Sequence, residues 1–324
     1  MVKIEIKAPK NYLVNKTVLI LSGPTASGKS SLAVKLAQDL DGEIISADSM
    51  QIYKGLDIGT AKITAEEMQG IPHHLLDIRE AGERYSVADF LEDSRKLILE
   101  IFARSKLPIV CGGTGQYITA LLDGLQFLEE DTDLSYRREI RRKILEQGLE
   151  RAHMRLAELD PKAGERIAPQ DEKRIVRFFE VYKKSGLTST EVYAYSRAKG
   201  PDFPFLAYAL WPPRDILYEK INRRTEMIFD LGIENELRKI IEADAGFSKS
   251  QAFQAIGYKE VLPYMKGELS RDEAIANLAQ STRRYAKRQY SLFRQREDII
   301  KVDSTDPQVA FKYIYADFTA KRLC

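Results

Sequence analysis

The sequence predicts an α/β protein in which helices flank a parallel sheet, with a helical insertion domain. Short apolar runs rich in β-branched residues, typical of buried strands, alternate with segments whose apolar residues recur at helical spacing. A glycine-containing loop joins the first such strand to the first helix. After about residue 128 the strand patterns stop, and helical patterns continue to about residue 201. We therefore predict a core whose first part covers 1–128, an insertion over 129–201, and a second core part over 202–324.

The loop between the first strand and helix carries the strongest chemical signal. It follows the apolar run 17–21 and reads Gly23-Pro24-Thr25-Ala26-Ser27-Gly28-Lys29-Ser30, which fits the phosphate-loop pattern. Unpaired backbone N–H groups and the helix dipole favour an anion there. Lys29 supplies a mobile positive charge, and the Ser30 hydroxyl can hold Mg²⁺. The sequence thus predicts a P-loop-type core with a phosphate or diphosphate site, although the loop does not identify the phosphate compound.

Composition excludes several classes of protein. The 50 Lys and Arg residues nearly balance the 48 Asp and Glu residues, so general attraction to nucleic acid is not expected and any basic surface must be local. Cys111 and Cys324 make neither a zinc site nor a disulfide framework. Residues 1–16 lack the apolar core of a signal peptide, and no apolar run approaches a membrane span of about 18 residues. We expect a cytoplasmic protein with no membrane partner.

Polar residues follow two further predicted strands. The strand 43–47 ends at Asp48, and a carboxylate there points into the crevice where open α/β sheets bind ligands. The strand 107–111 ends in the glycine turn Gly112–Gly115, which brings backbone close to a ligand and offers the Thr114 hydroxyl. The alternatives are a helix cap or solvated charge at Asp48 and a plain tight turn at Thr114.

Histidines do not predict a metal site. His73 and His74 open a predicted strand over 73–77, where adjacent side chains face opposite ways and do not chelate one metal. With His153, they are interpreted as structural or polar-contact residues. Ser86 and Asp89 have the spacing of a capping pair at a helix start.

The second core part contains two arginine-rich segments. A strand over 207–211 is followed by a helix from about 215 to 231, on which Arg223 and Arg224 face different sides, so that one of them could face the crevice. The segment Ser281–Arg296 then carries six cations and no acid, with Tyr285 and Tyr290 among them. A basic helix with interleaved aromatic residues can follow a nucleic-acid backbone and stack on bases, and the alternative is a solvated helix.

Several motifs in order along nearly the whole chain carry a resemblance to a known family. Besides the phosphate loop, these are Ile45–Lys62 (ISADSMQIYKGLDIGTAK), Pro72–Ile78, Tyr85–Phe90, Gly112–Tyr117, Ile256–Tyr258 and Thr282–Gln289. Together they resemble the tRNA dimethylallyltransferases, the bacterial tRNA isopentenyltransferase family. Larger eukaryotic relatives carry a C-terminal zinc finger. The two cysteines of this sequence are too few to form one.

The resemblance implies a reaction and the residues that perform it. A dimethylallyl group moves from dimethylallyl diphosphate to the exocyclic N6 amine of the adenosine on the 3′ side of the tRNA anticodon, and diphosphate leaves. The loop 23–30, with Lys29 and Mg²⁺ on Ser30, holds the leaving group in what was a nucleotide-kinase site. Asp48 orients the amine and accepts its proton, and Thr114 contacts the reaction site. Arg224 binds the diphosphate, with Arg223 as the fallback.

The resemblance also implies a tRNA anticodon stem-loop as partner of a monomeric protein, gripped in part by the insertion. With Asp48 and Thr114 in the site, Ser49, Met50 and Gln51 line the adenine entrance. The implied tRNA contacts elsewhere are Arg137, Gln170, Asp171, Glu172, Lys173, Arg174, Ile256, Gly257, Tyr258, Arg283 and Arg284.

Three alternatives remain open from the residues alone. A small-molecule or nucleotide kinase would use the same loop and Asp48, but not the insertion or the basic helix. A transferase acting on free adenosine nucleotides would share the core chemistry. A non-enzymatic RNA-binding module would leave the phosphate site unused.

Overall fold

A six-stranded sheet forms the centre of the fold. The computed structural model describes residues 16–127 and 134–322. Every strand pairing in the sheet is parallel, and the spatial order is β3-β2-β4-β1-β5-β6. The strands are β1 (Val18–Ser22), β2 (Gly42–Ser46), β3 (His73–His74), β4 (Leu107–Cys111), β5 (Phe205–Leu210) and β6 (Ile299–Val302). The predicted α/β class with a parallel sheet flanked by helices is confirmed.

Helices cover the sheet, whose inner strands are buried on both faces. Every residue of β1, β2 and β4 is buried. Against one face pack α1 (Lys29–Asp39), through Leu36 and its neighbours, and α14 (Pro307–Arg322), through Phe318 and its neighbours. The other helices before residue 123 and after residue 201 are α2 (Ala65–Met68), α3 (Val87–Ala103), α4 (Gly115–Leu122), α10 (Arg214–Asp230), α11 (Ile233–Ala243), α12 (Tyr258–Met265) and α13 (Arg271–Arg294). None of the helices in the described ranges is long and apolar enough to cross a membrane.

The chain divides into two compact units. Leu122–Pro201 forms one unit, and the residues before and after it form the other. The smaller unit contains α5 (Leu134–Gln147), α6 (Leu149–Leu159), α7 (Pro161–Arg166), α8 (Glu172–Ser185) and α9 (Ser189–Arg197), and no strand lies in its described residues. It has an apolar core of its own, which includes Ile140, Leu156 and Phe178.

Two strands differ from the sequence prediction. β3 has two residues instead of the predicted 73–77, because Leu75 (φ 61°) and Asp77 (φ 53°) adopt left-handed backbone that ends the extended run. β6 was not predicted, since four residues are too few to show a period. The predicted capping pair is confirmed: Ser86 accepts a hydrogen bond from the Asp89 N–H, and the Asp89 carboxylate accepts one from Ser86.

The histidines make polar contacts, as predicted. His73 Nδ1 lies 2.8 Å from the Ile71 carbonyl oxygen, and His74 Nε2 lies 2.7 Å from Glu43 Oε2. His153 Nε2 lies within hydrogen-bond distance of the Gly164 and Ile167 carbonyl oxygens. No group of three or more potential metal-binding side chains (His, Cys, Asp, Glu) occurs among the described residues.

Gly112 allows the turn after β4 to lie against the end of β2. A Cβ atom at this position would lie 2.2 Å from the Ala47 carbonyl oxygen, which is backbone and does not move aside easily. We expect Gly112→Ala to lower the free energy of unfolding by about 1–3 kcal/mol through overpacking. Thermal melting measures the change. Gly82→Ala is the control, because its nearest contact would be a side-chain oxygen of Asp244 at 3.4 Å. Equal melting temperatures for the two variants would contradict the close approach.

Candidate active site

The phosphate loop joins β1 to α1 in a conformation that needs glycine. Gly23 has φ +136°, and a Cβ there would lie 2.8 Å from the Leu210 carbonyl oxygen. Gly28 adopts left-handed backbone at the start of α1, and no acidic residue lies in the first turn of that helix. The helix N-terminus therefore presents its N–H groups and positive dipole end to an anion without a competing carboxylate nearby in sequence.

Lys29 is a charged side chain in a desolvated position. Its Nζ donates a 2.7 Å hydrogen bond to the Pro24 carbonyl oxygen. Burial lowers the pKa of Lys29 to about 8, and the neighbouring Cys111 and Asp48 act in the opposite direction. The ammonium is therefore mostly protonated at neutral pH and can neutralise a phosphate oxygen.

Asp48 lies two residues after the end of β2, and its carboxylate is oriented by its own loop. Oδ1 accepts hydrogen bonds from the Met50 N–H at 2.9 Å and the Gln51 N–H at 3.4 Å. Both bonds use the same oxygen, so the carboxylate is oriented while still lining the cavity described below.

The glycine turn after β4 is bonded to the Asp48 loop through Thr114. Thr114 Oγ1 accepts a 3.0 Å hydrogen bond from the Ser49 N–H and lies 3.3 Å from Ser49 Oγ. The Thr114 N–H donates to the Ala47 carbonyl oxygen at 3.1 Å. These bonds flank Asp48 in sequence, so Thr114 fixes the path of the backbone that carries the carboxylate.

Of the two adjacent arginines on α10, Arg224 lies in the cavity and Arg223 is exposed. Arg224 Nη2 donates to the Thr60 carbonyl oxygen at 3.2 Å, and Nη1 lies 3.5 Å from Thr25 Oγ1 in the phosphate loop. Burial lowers the pKa of Arg224, while the Asp48 carboxylate acts to raise it. Arg224 therefore has the position expected of a diphosphate ligand, and that role stays a prediction.

Asp48 and Arg224 line one cavity of about 220 Å³ together with Thr25 of the phosphate loop, whereas Lys29 and Thr114 are not part of its wall. Thr25, Asp48 and Arg224 contribute polar groups to its wall. The wall also contains apolar and aromatic side chains from α10, α13 and the loop before α12, among them Ile221, Ile228, Ile256, Leu278 and Tyr285. The cavity thus combines an anion-binding region, a carboxylate and an apolar surface.

Gln289 joins the phosphate loop to the glycine turn, a role that the sequence did not reveal. Its Oε1 accepts a 2.9 Å hydrogen bond from the Thr25 N–H, and its Nε2 donates a 2.8 Å bond to the Gly113 carbonyl oxygen. The residue is buried. It ends the motif Thr282–Gln289, which was interpreted only as RNA-binding, and a glutamine within a basic helix gives no sign of such contacts.

The basic helix α13 divides its residues between the cavity, the core and the surface. Arg284, Lys287 and Arg288 are exposed, and Arg283 donates a 2.6 Å hydrogen bond to Asn222 Oδ1. Tyr290 is buried, and its hydroxyl donates to the Pro212 carbonyl oxygen. The idea that Tyr290 offers a face for stacking bases is therefore wrong, because its ring packs edge-on against Trp211.

The residues around the start of α12 are likewise divided between the cavity and the protein interior. Ile256 lines the cavity, and Gly257 has φ +126° at the start of the helix. The Tyr258 side chain is buried, and its hydroxyl donates to Glu236 Oε1 at 2.7 Å. The predicted tRNA contact therefore does not fit the Tyr258 side chain, which is held in the protein interior.

The predicted RNA-contacting residues of the smaller unit lie mainly on its surface. Asp171 caps α8 by accepting from the Arg174 N–H, and Gln170, Lys173 and Arg174 are exposed. Glu172 lies 3.3 Å from Arg141, and Arg137 forms an ion pair with Glu180. The contribution of each of these residues to RNA binding therefore remains a prediction.

A Mg²⁺ ion fits this site only if substrate supplies most of its ligands. Ser30 is exposed in the first turn of α1 and offers one hydroxyl oxygen. Since no cluster of three metal-binding side chains occurs in the described part of the chain, the ion would be held by Ser30, phosphate oxygens and water. Mg²⁺ is commonly bound in this way next to phosphates.

The parallel sheet, the phosphate loop and the carboxylate at the end of β2 define a P-loop α/β protein with an anion-handling cavity. Residues 51–296 match the family model described as IPP transferase. This match covers more than half of the chain, and the chain belongs to the IPP transferase family.

Curated relatives and solved structures agree with this assignment. A tRNA dimethylallyltransferase of Geobacillus kaustophilus is 45% identical over 289 residues, which cover 89% of this chain and 91% of the relative. One from Halalkalibacterium halodurans is 41% identical over 293 residues, covering 90% and 93%. The crystal structure of the full-length tRNA isopentenylpyrophosphate transferase from Bacillus halodurans has 38% identity and a TM-score of 0.70, covering 95% of this chain and 97% of that one.

A eukaryotic dimethylallyltransferase acting on tRNA has a similar structure at lower identity. It is 29% identical with a TM-score of 0.77, and the alignment covers 95% of this chain and 80% of that one. The family resemblance inferred from the motifs is therefore confirmed.

Proposed function

We propose that this protein transfers a dimethylallyl group from dimethylallyl diphosphate to the exocyclic N6 amine of the adenosine on the 3′ side of a tRNA anticodon. The observation that carries the proposal is that Thr25 of the anion-binding loop, the Asp48 carboxylate and Arg224 line one cavity in a member of the IPP transferase family. The identity of both substrates is inferred from the names of the relatives and from the motifs shared with the family.

The phosphate loop and its cations act on the leaving group. As the bond between the prenyl C1 and the diphosphate oxygen breaks, its electron pair remains on diphosphate and negative charge grows there. The loop N–H groups, Lys29 and Arg224 stabilise that charge because they are held in place before the reaction. A Mg²⁺ ion held by Ser30 and the phosphate oxygens would neutralise part of the same charge. The apolar wall that includes Ile221 and Leu278 suits the five-carbon chain.

Asp48 acts on the nucleophile. The N6 lone pair forms the new bond to C1, and the proton that N6 then loses passes to the Asp48 carboxylate. The hydrogen bonds from the Met50 and Gln51 N–H groups hold this carboxylate in one orientation. An adenine stacked in an anticodon loop cannot enter such a cavity, so the base must be extruded at a cost of a few kcal/mol.

Parallel incubations test the proposal and separate its rivals. Labelled dimethylallyl diphosphate is offered to unmodified tRNA, to free AMP and to buffer, and nucleosides are analysed after digestion. We expect label on N6 of one adenosine in tRNA and none on AMP. Label on AMP alone would point to a transferase acting on free nucleotides, and ATP consumption without prenyl transfer would point to a kinase.

The tRNA partner gives a second measurable expectation. We expect Arg283→Ala/Arg284→Ala to weaken tRNA binding and to reduce the salt dependence of log Kd by about one unit per lost phosphate contact. Filter binding at several salt concentrations measures both quantities. Lys312→Ala, an exposed charge on α14, is the matched control. Identical salt slopes for the wild type and the double variant would indicate that α13 is a solvated helix that does not contact tRNA.

The remaining parts of the proposal concern the setting of the reaction. We place the protein in the cytoplasm, where relatives named for tRNA modification find their substrate, and we expect a monomer. Size-exclusion chromatography with light scattering tests the oligomeric state. A measured mass of twice that of one chain, constant across the eluted peak, would contradict the expected monomer.

A further inference from the structure

Glu236, in the first turn of α11, makes an unusual set of contacts with the loop that follows Asp48. Its Oε2 accepts hydrogen bonds from the N–H groups of Asp57 (3.0 Å) and Ile58 (2.7 Å). Its Oε1 accepts from the Gly59 N–H (3.0 Å) and the Tyr258 hydroxyl (2.7 Å). Successive N–H groups that converge on one point form an anion-binding concavity. Here a carboxylate of the protein itself occupies the concavity.

The same loop is held from its other side by an aromatic ring. A Cβ atom at Gly59 would lie 2.6 Å from Cζ of Tyr258, so the backbone rests directly on the ring. Burial raises the pKa of Tyr258, which keeps its hydroxyl protonated as a donor to Glu236. Glu236 and Tyr258 together therefore fix the path of residues 57–59.

The next residue transmits this position to the cavity. The Thr60 carbonyl oxygen accepts from Arg224 Nη2 at 3.2 Å and from Gln51 Nε2 at 3.3 Å. Gly59 and Thr60 line the cavity, whereas Glu236 does not. Arg224 in turn approaches Thr25 of the phosphate loop. A continuous series of contacts thus leads from the Glu236 carboxylate to a cation beside the anion site.

We propose that Glu236 is a positioning residue that acts through residues 57–60, so that the Thr60 carbonyl directs the Arg224 guanidinium toward the diphosphate. This inference rests on the proposed function, since it names the group that sets the geometry of the same site. The Thr60 carbonyl gives Arg224 its shorter hydrogen bond, at 3.2 Å against 3.5 Å for Thr25 Oγ1, so a displaced Thr60 carbonyl would change the orientation of the guanidinium. Glu236 itself touches no reacting atom.

Glu236→Gln tests this role with little change in volume. The amide nitrogen donates instead of accepting, so it opposes either the Gly59 N–H or the N–H groups of Asp57 and Ile58, whereas the Tyr258 hydroxyl can rotate to accept. We expect kcat/KM for the prenyl donor to fall on the order of 10²-fold. Affinity for inorganic diphosphate with Mg²⁺, measured by calorimetry, should fall in parallel. Tyr258→Phe, which removes one of the four donors and keeps the ring, should change both in the same direction by less.

A matched control separates positioning from general stability. Glu273 accepts two hydrogen bonds in the capping box of α13 and does not line the cavity. Glu273→Ala, which removes the acceptor of both bonds, should lower the melting temperature and leave diphosphate affinity unchanged. If Glu236→Gln lowered the melting temperature and likewise left diphosphate affinity and kcat/KM unchanged, Glu236 would be only structural.

A double-mutant cycle with Arg224→Ala is the decisive arm. If Glu236 acts through Arg224, Glu236→Gln should cause little further loss of diphosphate affinity once Arg224 is absent. The same fold loss in both backgrounds would overturn the proposal. Because this readout uses inorganic diphosphate, it does not depend on prenyl transfer. A wild-type protein that binds diphosphate but modifies no tRNA would end the proposed function and leave this inference to be judged by the cycle.

Discussion

Asp48→Asn should lower turnover by roughly 10²–10⁴ while tRNA affinity stays close to that of the wild type. Asparagine keeps an oxygen that can accept from the Met50 and Gln51 N–H groups, so the loop should retain its path. What it loses is the ability to take the proton from N6. Single-turnover prenyl transfer with labelled donor and saturating tRNA measures the effect.

Two controls make the Asp48 result specific. Filter binding shows whether tRNA still binds, and calorimetry with diphosphate shows whether the anion site is intact. A variant that turns over at the wild-type rate would remove Asp48 as the proton acceptor. A variant that loses tRNA affinity in proportion to its rate would make it a binding residue instead.

Lys29→Ala should lower kcat/KM for the prenyl donor by about 10²–10³, because it removes a desolvated donor from the leaving group. The pH profile gives an independent check. Burial lowers the pKa of Lys29 to about 8, so in the wild type the ammonium loses its proton as pH rises through that value. The protonated form attracts the anionic donor, so kcat/KM should decline on the alkaline side with an apparent pKa near 8. The pH dependence of kcat/KM reports the pKa values of the free enzyme.

Lys29→Arg is the companion variant, since a guanidinium stays charged throughout this range. Its activity should be reduced by imperfect geometry, but the alkaline decline near pH 8 should disappear. The same decline in wild type and in Lys29→Arg would assign it to another group.

Local patterns predicted most of the core and part of the site. The loop 23–30 and Asp48 were found because each directly follows an apolar strand, and parallel strands bring their carboxyl ends to one edge. The helical pattern alone could not separate Arg223 from Arg224, since adjacent helical positions differ by about 100° and the phase of the helix depends on packing; the family resemblance favoured Arg224.

The parts of the site that were missed depend on contacts between distant segments. Glu236 reaches residues 177–179 positions earlier in the chain, and Gln289 reaches residues 176 and 264 positions earlier. Neither residue type is unusual on a helix, so no local signal marks them. Tyr290 was misinterpreted for the related reason that an aromatic residue beside cations can face either the core or the surface, and packing decides which.

The most direct measurement is a crystal structure with Mg²⁺ and a dimethylallyl diphosphate analogue that cannot ionise. We expect both phosphates to lie on the N–H groups of the 23–30 loop, with Lys29 and Arg224 in contact, and the Asp48 carboxylate to face prenyl C1 across the space for the amine. Phosphates bound outside that loop, or a prenyl group on the far side from Asp48, would contradict this expectation.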